Sequence, residues 1–189
     1  MALSNMKKKI KSLLEPLAIP LEFLGLTPNS VTLISLFLAL TATPVFFFYS
    51  KILAFFIFIL SFILDSLDGA LARKTRKVTK FGAYFDSLTD KISESLIFLC
   101  FASYNWPLAF LAGVSSILVS YSKHRADEFR VKISGGIFER PERIGFVLVS
   151  GILLETLNLQ QFIPHILLIS LTLSILTIIQ RIQQAKKYL

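Results

Sequence analysis

The chain has 189 residues, of which 54% are hydrophobic, and a formal net charge of +8. Its mean hydropathy is +0.67, and the apolar residues form long runs, which excludes an ordinary soluble domain and indicates a bilayer as the solvent. The basic residues lie between these runs, so anionic lipids and phosphate substrates are expected as partners, and nucleic acid is not. The single cysteine, Cys100, excludes an intrachain disulfide and a cysteine-based metal site.

Residues 1–27 are predicted to form an interfacial segment at the membrane surface. Four lysines between positions 6 and 26 lie opposite apolar residues in an amphipathic helical pattern, which Pro16 disturbs and Pro20 ends. A disordered basic tail is the alternative interpretation. The segment lacks a short apolar core followed by a small-residue cleavage site, so no signal peptide is expected.

Six apolar runs follow in the remainder of the chain, residues 28–189. A helix needs roughly 20 apolar residues to cross the hydrocarbon core of a bilayer. The six candidate spans are Ser30–Tyr49, Ile52–Ala72, Phe81–Ser103, Leu108–Phe129, Arg143–Leu159 and Phe162–Ile182. The sequence therefore predicts an all-α integral membrane protein, with six transmembrane helices after the amphipathic interfacial helix and a single domain over residues 1–189.

The basic residues also predict the orientation in the membrane. Eighteen of the 20 lie in four segments: the N-terminal segment, the links after the second and fourth spans, and the C-terminal tail. An even number of spans places these four segments on the same side, which by the positive-inside rule is the cytoplasm. We therefore expect a multi-pass protein of the cell membrane with both termini in the cytoplasm.

The second and third spans contain acidic residues, which is unusual inside a membrane. These residues are Asp65, Asp68, Asp86, Asp90 and Glu94. An ionised carboxylate costs several kcal/mol there unless it is paired, solvated or bound to a metal. Helical spacing places Asp65 and Asp68 on one face of the second span, and Asp86 and Asp90 on one face of the third.

A short basic link joins these two spans, so they are expected to be antiparallel neighbours whose aspartates meet near the cytoplasmic side. Four converging carboxylates form an oxygen-rich cage for two Mg²⁺ or Mn²⁺ ions about 4 Å apart, suited to clamping a phosphate. Gly69 and Gly82 leave room for a ligand near the backbone. The alternative is that the aspartates only pair with Arg73, Lys74, Lys91 or helix ends.

The residues form a pattern with fixed spacing. It reads Asp65-x2-Asp68-Gly69-x2-Ala72-Arg73-x8-Gly82-x3-Asp86-x3-Asp90. This pattern resembles the complete signature of the CDP-alcohol phosphotransferase family, and the six-span layout and basic N-terminal helix are also similar to that family. The resemblance implies a homodimeric membrane enzyme that transfers a phosphoalkyl group from a CDP-linked lipid to an alcohol and releases CMP, with its active site open to the cytoplasm.

The same resemblance implies a role for each matching residue. Asp65, Asp68 and Asp86 would hold the metals, and Asp90 would be a further ligand and the general base. The pocket for the CDP group would be formed by Asn29, Asp65, Asp68, Gly69, Ala72, Arg73 and Gly82. The sequence offers no Ser-His or Cys-His arrangement, so direct transfer is expected rather than a covalent enzyme intermediate, with Asp90 taking the proton from the acceptor hydroxyl.

Asn29 has two interpretations. It stands in the stretch Thr27–Thr32 before the first span, which resembles a stretch that family members carry, and there it would line the nucleotide site. The residues alone indicate a helix cap, with Asn29 or Ser30 starting the first helix after Pro28. One residue can serve both purposes.

The basic link after the fourth span predicts an acceptor site. Its cations Lys123, Arg125, Arg140 and Arg143 are suited to a second anion, most simply the phosphate of a phosphorylated alcohol. An anchor on anionic lipid is the alternative, although it does not explain the glutamates that are interleaved with these arginines.

Two segments narrow the resemblance to a subgroup. Residues 81–87 and 135–143 are similar to segments of phosphatidylinositol phosphate and archaetidylinositol phosphate synthases, which implies that the four cations bind inositol 1-phosphate. The alternatives are a glycerol 3-phosphate acceptor, a CDP-polyol donor and, outside the enzymes, a divalent-cation transporter. A transporter would need polar groups across the whole membrane, whereas the outer halves of the spans are apolar.

Overall fold

The structure is a computed structural model that describes residues 16–17, 19–131, 133 and 135–188. Within these residues the protein is all-helical, with seven α-helices, one 3₁₀-helix and no strand. The helices are α1 (Ile19–Phe23), α2 (Pro28–Phe48), α3 (Lys51–Lys74), α4 (Lys80–Phe101), α5 (Trp106–Glu128), α6 (Arg140–Thr156) and α7 (Ile163–Tyr188), with the 3₁₀-helix Gln160–Phe162 before α7. Most of the predicted surface helix lies outside the described residues.

Polar N-caps set the starts of four of the long helices, α2 to α5. A side-chain oxygen accepts a hydrogen bond from the backbone N–H three residues further on at Thr27 (3.2 Å), Ser50 (3.3 Å), Thr79 (2.9 Å) and Asn105 (3.1 Å). The prediction that Asn29 or Ser30 caps the first helix is therefore wrong. Thr27 is the N-cap, and Pro28 occupies the first helical position, where its missing N–H costs no hydrogen bond.

Within the part of the chain that the structure describes, three helical segments are long and apolar enough to cross a membrane: Pro28–Phe48, Lys51–Lys74 and Gln160–Tyr188, with mean hydropathies of 2.1, 2.1 and 2.3. The other long helices are more polar or shorter, and α6 has only 17 residues. The ends of the predicted spans nevertheless agree with those of the six long helices to within three residues, except that α7 extends to Tyr188 and not to Ile182. The number of six membrane crossings stays a prediction.

The two acidic helices, α3 and α4, are held together mainly through their packing on α2. This helix packs along both α3 and α4, whereas α3 and α4 contact each other only slightly. On the other side of the bundle α5 packs on α7, and α6 contacts α3 and α7. The expectation that α3 and α4 are direct neighbours is therefore only partly right, because α2 supplies most of the surface against which each of them packs.

At the helix ends that lie away from the aspartates, an aromatic core holds the helices together. Phe55 packs against Phe46 and Phe101, with ring centroids 5.5 and 5.4 Å apart. Gly151 on α6 allows this helix to approach, because a Cβ there would lie 2.9 Å from the Phe101 ring and 3.0 Å from the Phe55 ring. Large apolar side chains such as Phe37 are exposed on the outside of the bundle, as expected of a surface that faces lipid.

Candidate active site

Three of the predicted aspartates form one acidic cluster. Asp65 and Asp68 lie near the end of α3 and are buried, and Asp86 lies two turns into α4. One carboxylate oxygen from each residue lies within 4.8 Å of the other two. Carboxylate oxygens are the ligands that hard divalent cations prefer, so this cluster fits Mg²⁺ or Mn²⁺.

Thr32 on α2 belongs to the same cluster and was missed by the sequence analysis. Its hydroxyl donates a hydrogen bond to Asp68 Oδ2, and its side chain is almost fully buried. Helical spacing gives a signal that could have found it, because Thr32 lies three residues after Asn29 and so on the same helix face. This hydrogen bond from α2 fixes the position of the Asp68 carboxylate on α3.

Asp90 is held by an arginine and lies outside the cluster of three. Arg140, the first residue of α6, places Nη1 2.6 Å from Asp90 Oδ1 and 2.9 Å from Asp65 Oδ2. The compensating cation therefore comes from a distant helix. Among the described residues, no ion pair joins Arg73, Lys74 or Lys91 to an aspartate, and Lys74 pairs with Glu22 at 2.7 Å. The alternative in which the aspartates pair with those nearby cations is thus wrong.

A cavity of about 300 Å³ opens beside the acidic cluster, between the start of α2, the end of α3 and the start of α4. The predicted CDP-binding residues that line it are Asn29, Asp68, Gly69, Ala72, Arg73 and Gly82. Asp65 is the one member of the predicted set that does not line it. The wall also includes Thr32, Lys77 and Thr79, which the motif does not contain.

Gly82 keeps the mouth of this first cavity open. A Cβ at this position would lie 3.0 Å from Thr79 Oγ1 and 3.1 Å from Asn29 Oδ1. Both oxygens would have to shift, and Thr79 is tied to its position because it caps α4. The absence of a side chain at residue 82 therefore leaves space beside the start of α4 that a ligand can use.

A second cavity of about 200 Å³ lies on the other side of Asp90. Its polar lining residues are Asp90, Lys91, Ser120, Lys123, His124, Glu139, Arg140 and Arg181. Asp86 lines the first cavity and Asp90 lines the second, and these two residues are one helical turn apart on α4. The two cavities therefore approach each other at the aspartates.

Of the four predicted acceptor cations, Lys123 and Arg140 line the second cavity, and Arg125 and Arg143 do not. The structure corrects the prediction for these last two. Arg125 is exposed, pairs with Glu128 and stacks on a neighbouring ring. Arg143 is fully buried, with Nη2 2.8 Å from Glu94 Oε1, because the buried carboxylate of Glu94 requires a cation.

Arg181 is the cation that the sequence analysis did not place in this site. It lies in the last part of α7 with only 2% of its side chain exposed, and Nη2 is 2.9 Å from Glu139 Oε1. Its Nη1 donates to the Val119 carbonyl of α5. The sequence assigns Arg181 to the basic C-terminal tail, although a lone arginine after a long apolar run is a signal that could have identified it.

The loop before α6 is fastened to α7. The Gly136 N–H donates to Glu139 Oε1 at 2.6 Å, and the Phe138 N–H donates to Thr177 Oγ1 at 3.2 Å. Burial alone would raise the pKa of Glu139, but the Gly136 N–H and the Arg181 guanidinium outweigh it and hold the pKa below its ordinary value. Glu139 is therefore ionised at neutral pH, and the loop remains fastened.

Comparisons with known proteins agree with this geometry. Residues 25–180 match the CDP-alcohol phosphatidyltransferase family. The archaetidylinositol phosphate synthase of Pyrococcus horikoshii is 37% identical over 191 residues, which cover 99% of this chain and 98% of the relative. The chain therefore belongs to the CDP-alcohol phosphatidyltransferase family and is a transferase.

Solved structures extend the likeness to the fold. The crystal structure of Mycobacterium tuberculosis phosphatidylinositol phosphate synthase with CDP-DAG bound has a TM-score of 0.73 and 26% identity, covering 93% of this chain and 92% of that one. The same enzyme in complex with manganese and citrate gives 0.79 and 27%, covering 92% and 88%. Together with the cluster of three carboxylates, these likenesses make Mg²⁺ or Mn²⁺ the cofactor of this transferase.

Proposed function

We propose that this protein transfers a phosphatidyl-type group from a CDP-linked lipid to the hydroxyl of inositol 1-phosphate and releases CMP, as a step of phospholipid biosynthesis. The observation that carries the proposal is the pair of cavities that approach each other at Asp86 and Asp90. One is lined by the CDP motif and the other by the cations Lys123, Arg140 and Arg181. Two anionic substrates can therefore approach the same carboxylates from opposite sides.

The first cavity is the proposed donor site. Asn29, Gly69, Ala72 and Gly82 give the CDP group space close to the backbone, and Arg73 adds a positive charge. Asp65, Asp68 and Asp86 would hold two divalent ions, with Asp90 at the edge of the group. When bound, these ions neutralise the diphosphate and stabilise the departing CMP.

The second cavity is the proposed acceptor site. Its cations would bind the phosphate of inositol 1-phosphate and direct a hydroxyl towards Asp90. The hydroxyl oxygen attacks the β-phosphorus of the donor, the bond from this phosphorus to the CMP oxygen breaks, and Asp90 accepts the hydroxyl proton. Arg140 holds the Asp90 carboxylate in place through their 2.6 Å contact.

Release of CMP from defined substrates tests the proposal. The purified protein would receive CDP-diacylglycerol or CDP-archaeol, with Mg²⁺ or EDTA, and one of inositol 1-phosphate, free inositol, glycerol 3-phosphate or serine. Metal-dependent release with inositol 1-phosphate alone is the expected result. Release with glycerol 3-phosphate and not with inositol 1-phosphate would show that glycerol 3-phosphate is the acceptor. If folded protein released no CMP with any combination of donor and acceptor, the proposal would be wrong. A CDP-polyol donor would be tested next, and then cation transport.

The arrangement in the membrane forms part of the proposal. We infer that the six long helices all cross the bilayer, that both termini and the active site face the cytoplasm, and that the protein forms a homodimer. The even number of helices, which collects the basic links on one side, supports this topology. Protease or thiol accessibility of tags at the two termini, in intact and opened vesicles, tests the topology, and chemical cross-linking tests the dimer.

Lys123→Ala is expected to raise the KM for inositol 1-phosphate by at least about tenfold, because a hydrogen bond between charged groups is worth about 1.5–3 kcal/mol. The KM for the CDP-lipid should change less than about twofold, since Lys123 lines only the second cavity. Steady-state CMP release with each substrate varied in turn gives both constants. Lys187→Ala, which removes an exposed lysine from the end of α7, is the control, and a comparable rise in both KM values would contradict the assignment.

Asp86→Asn is expected to raise the Mn²⁺ concentration needed for half-maximal activity by about tenfold or more, because one of three clustered charges is lost. Asp86 is the least buried of the three, so the fold should tolerate the change. Titration of EDTA-treated enzyme with Mn²⁺ measures the effect. Asp127→Asn, at an exposed aspartate on α5, should leave the titration unchanged. An unaltered Mn²⁺ requirement in Asp86→Asn would remove this residue from the metal site.

A further inference from the structure

A buried charge network lies one helical turn beyond Asp90. Glu94 Oε1 receives Arg143 Nη2 at 2.8 Å and Nε at 3.1 Å, together with the hydroxyl of Ser116 on α5. Arg143 Nη1 donates to the Phe138 carbonyl at 3.1 Å. Glu94 follows Asp90 by four residues, and Phe138 precedes Arg140 by two. The network therefore connects the helix that carries Asp90 to the segment that carries Arg140.

One side of this network is polar and has no protein partner among the described residues. Glu94 Oε2 and Arg140 Nε are both buried without a hydrogen bond. The Glu94 side chain is 0% exposed, and all the contacts to its carboxylate are made by Oε1. A buried carboxylate oxygen and a guanidinium N–H without partners are both unfavourable, so each requires a polar group within reach.

A small cavity is lined by both of the residues that carry these atoms. Its volume is about 10 Å³, and its polar lining residues are Ser61, Asp65, Ser93, Glu94 and Arg140. A water molecule requires roughly 10–15 Å³ of such space and two to four polar partners. The cavity therefore has the size for one water molecule and the hydrogen-bonding groups to hold it.

We propose that this cavity is the site of one ordered water molecule that accepts a hydrogen bond from Arg140 Nε and donates one to Glu94 Oε2. Through this water Glu94 is a positioning residue for Arg140. The guanidinium is then fixed at two points, by the aspartates at Nη1 and by the water at Nε. Its plane, and with it the Asp90 carboxylate, is set by a charge network that touches neither substrate.

A structure determined at about 2 Å resolution or better tests the water directly and needs no turnover. Density for one water within hydrogen-bonding distance of both Glu94 Oε2 and Arg140 Nε is expected. A dry cavity, or a direct bond between the two atoms, would overturn the proposal. This readout stands even if the proposed acceptor is wrong, because it does not involve any substrate.

Filling the cavity tests the positioning role, which rests on the proposed reaction. Ser93→Val adds bulk at the wall and should expel the water, whereas Ser93→Ala keeps the space and serves as the matched control. For Ser93→Val we expect a fall of about tenfold in kcat/KM for the acceptor with an unchanged donor KM, and a lower unfolding temperature because Glu94 Oε2 and Arg140 Nε lose their partner. For Ser93→Ala we expect wild-type values. Equal activity of the two variants, in structures that confirm loss of the water only from Ser93→Val, would refute the positioning role.

Discussion

Asp90→Asn should reduce metal-dependent CMP release by about 10²–10⁴-fold, which is the usual contribution of a general base. The amide matches the carboxylate in shape but cannot accept the proton of the acceptor hydroxyl. Asp90 lines the second cavity and not the first, so binding of the CDP-lipid should be largely retained. Turnover assays and calorimetric titration with the donor, on the same purified protein in detergent, measure the two quantities separately.

The variant also separates the two roles assigned to Asp90. If the residue serves only as base, the Mn²⁺ requirement of the residual activity should equal that of the wild type. If it also holds a metal, that requirement should rise as in Asp86→Asn. Turnover at the wild-type rate in folded Asp90→Asn would remove the residue from catalysis altogether.

Arg143→Met is expected to lower the free energy of unfolding by about 3–5 kcal/mol, because Glu94 would then be buried without its cation. The effect should appear as a large fall in the unfolding temperature in detergent. The change Arg125→Ala is the matched control, since Arg125 belongs to an exposed ion pair, and its loss should change stability by less than about 1 kcal/mol.

The double variant Glu94→Gln with Arg143→Met should recover most of this stability, because it removes both charges together. If the single variant Arg143→Met were as stable as the wild type and had a raised KM for the acceptor, the structural role would be wrong. Arg143 would then be a residue of the acceptor site, as the sequence predicts.

The acidic helices could be predicted from the sequence because their chemistry is local. Asp65, Asp68, Asp86 and Asp90 are spaced at helical intervals inside apolar runs, and such spacing alone determines the helix face. The donor cavity follows for the same reason, since its motif residues lie on two consecutive helices. These features depend on contacts along the chain, which a single sequence displays directly.

The partners of the acidic residues could not be predicted, because they come from distant parts of the chain. Arg140 is 75 residues from Asp65, and Arg181 is 42 residues from Glu139. The sequence analysis placed Arg140 and Arg143 in one acceptor site, but Arg140 contacts the aspartates and Arg143 contacts Glu94. Which buried acid receives which arginine is decided by the packing of helices, about which periodicity carries no information.

The loop before α6 is fastened to α7, and this determines the order in which the two cavities form during synthesis of the protein. The donor cavity is built from residues 28–86 and is complete once α4 has formed. The acceptor cavity is lined by Glu139, and Glu139 is anchored by Arg181 on α7, the last helix described. A nascent protein should therefore be able to hold an activated lipid before it can discharge it, because transfer also requires α7 to have been made and packed.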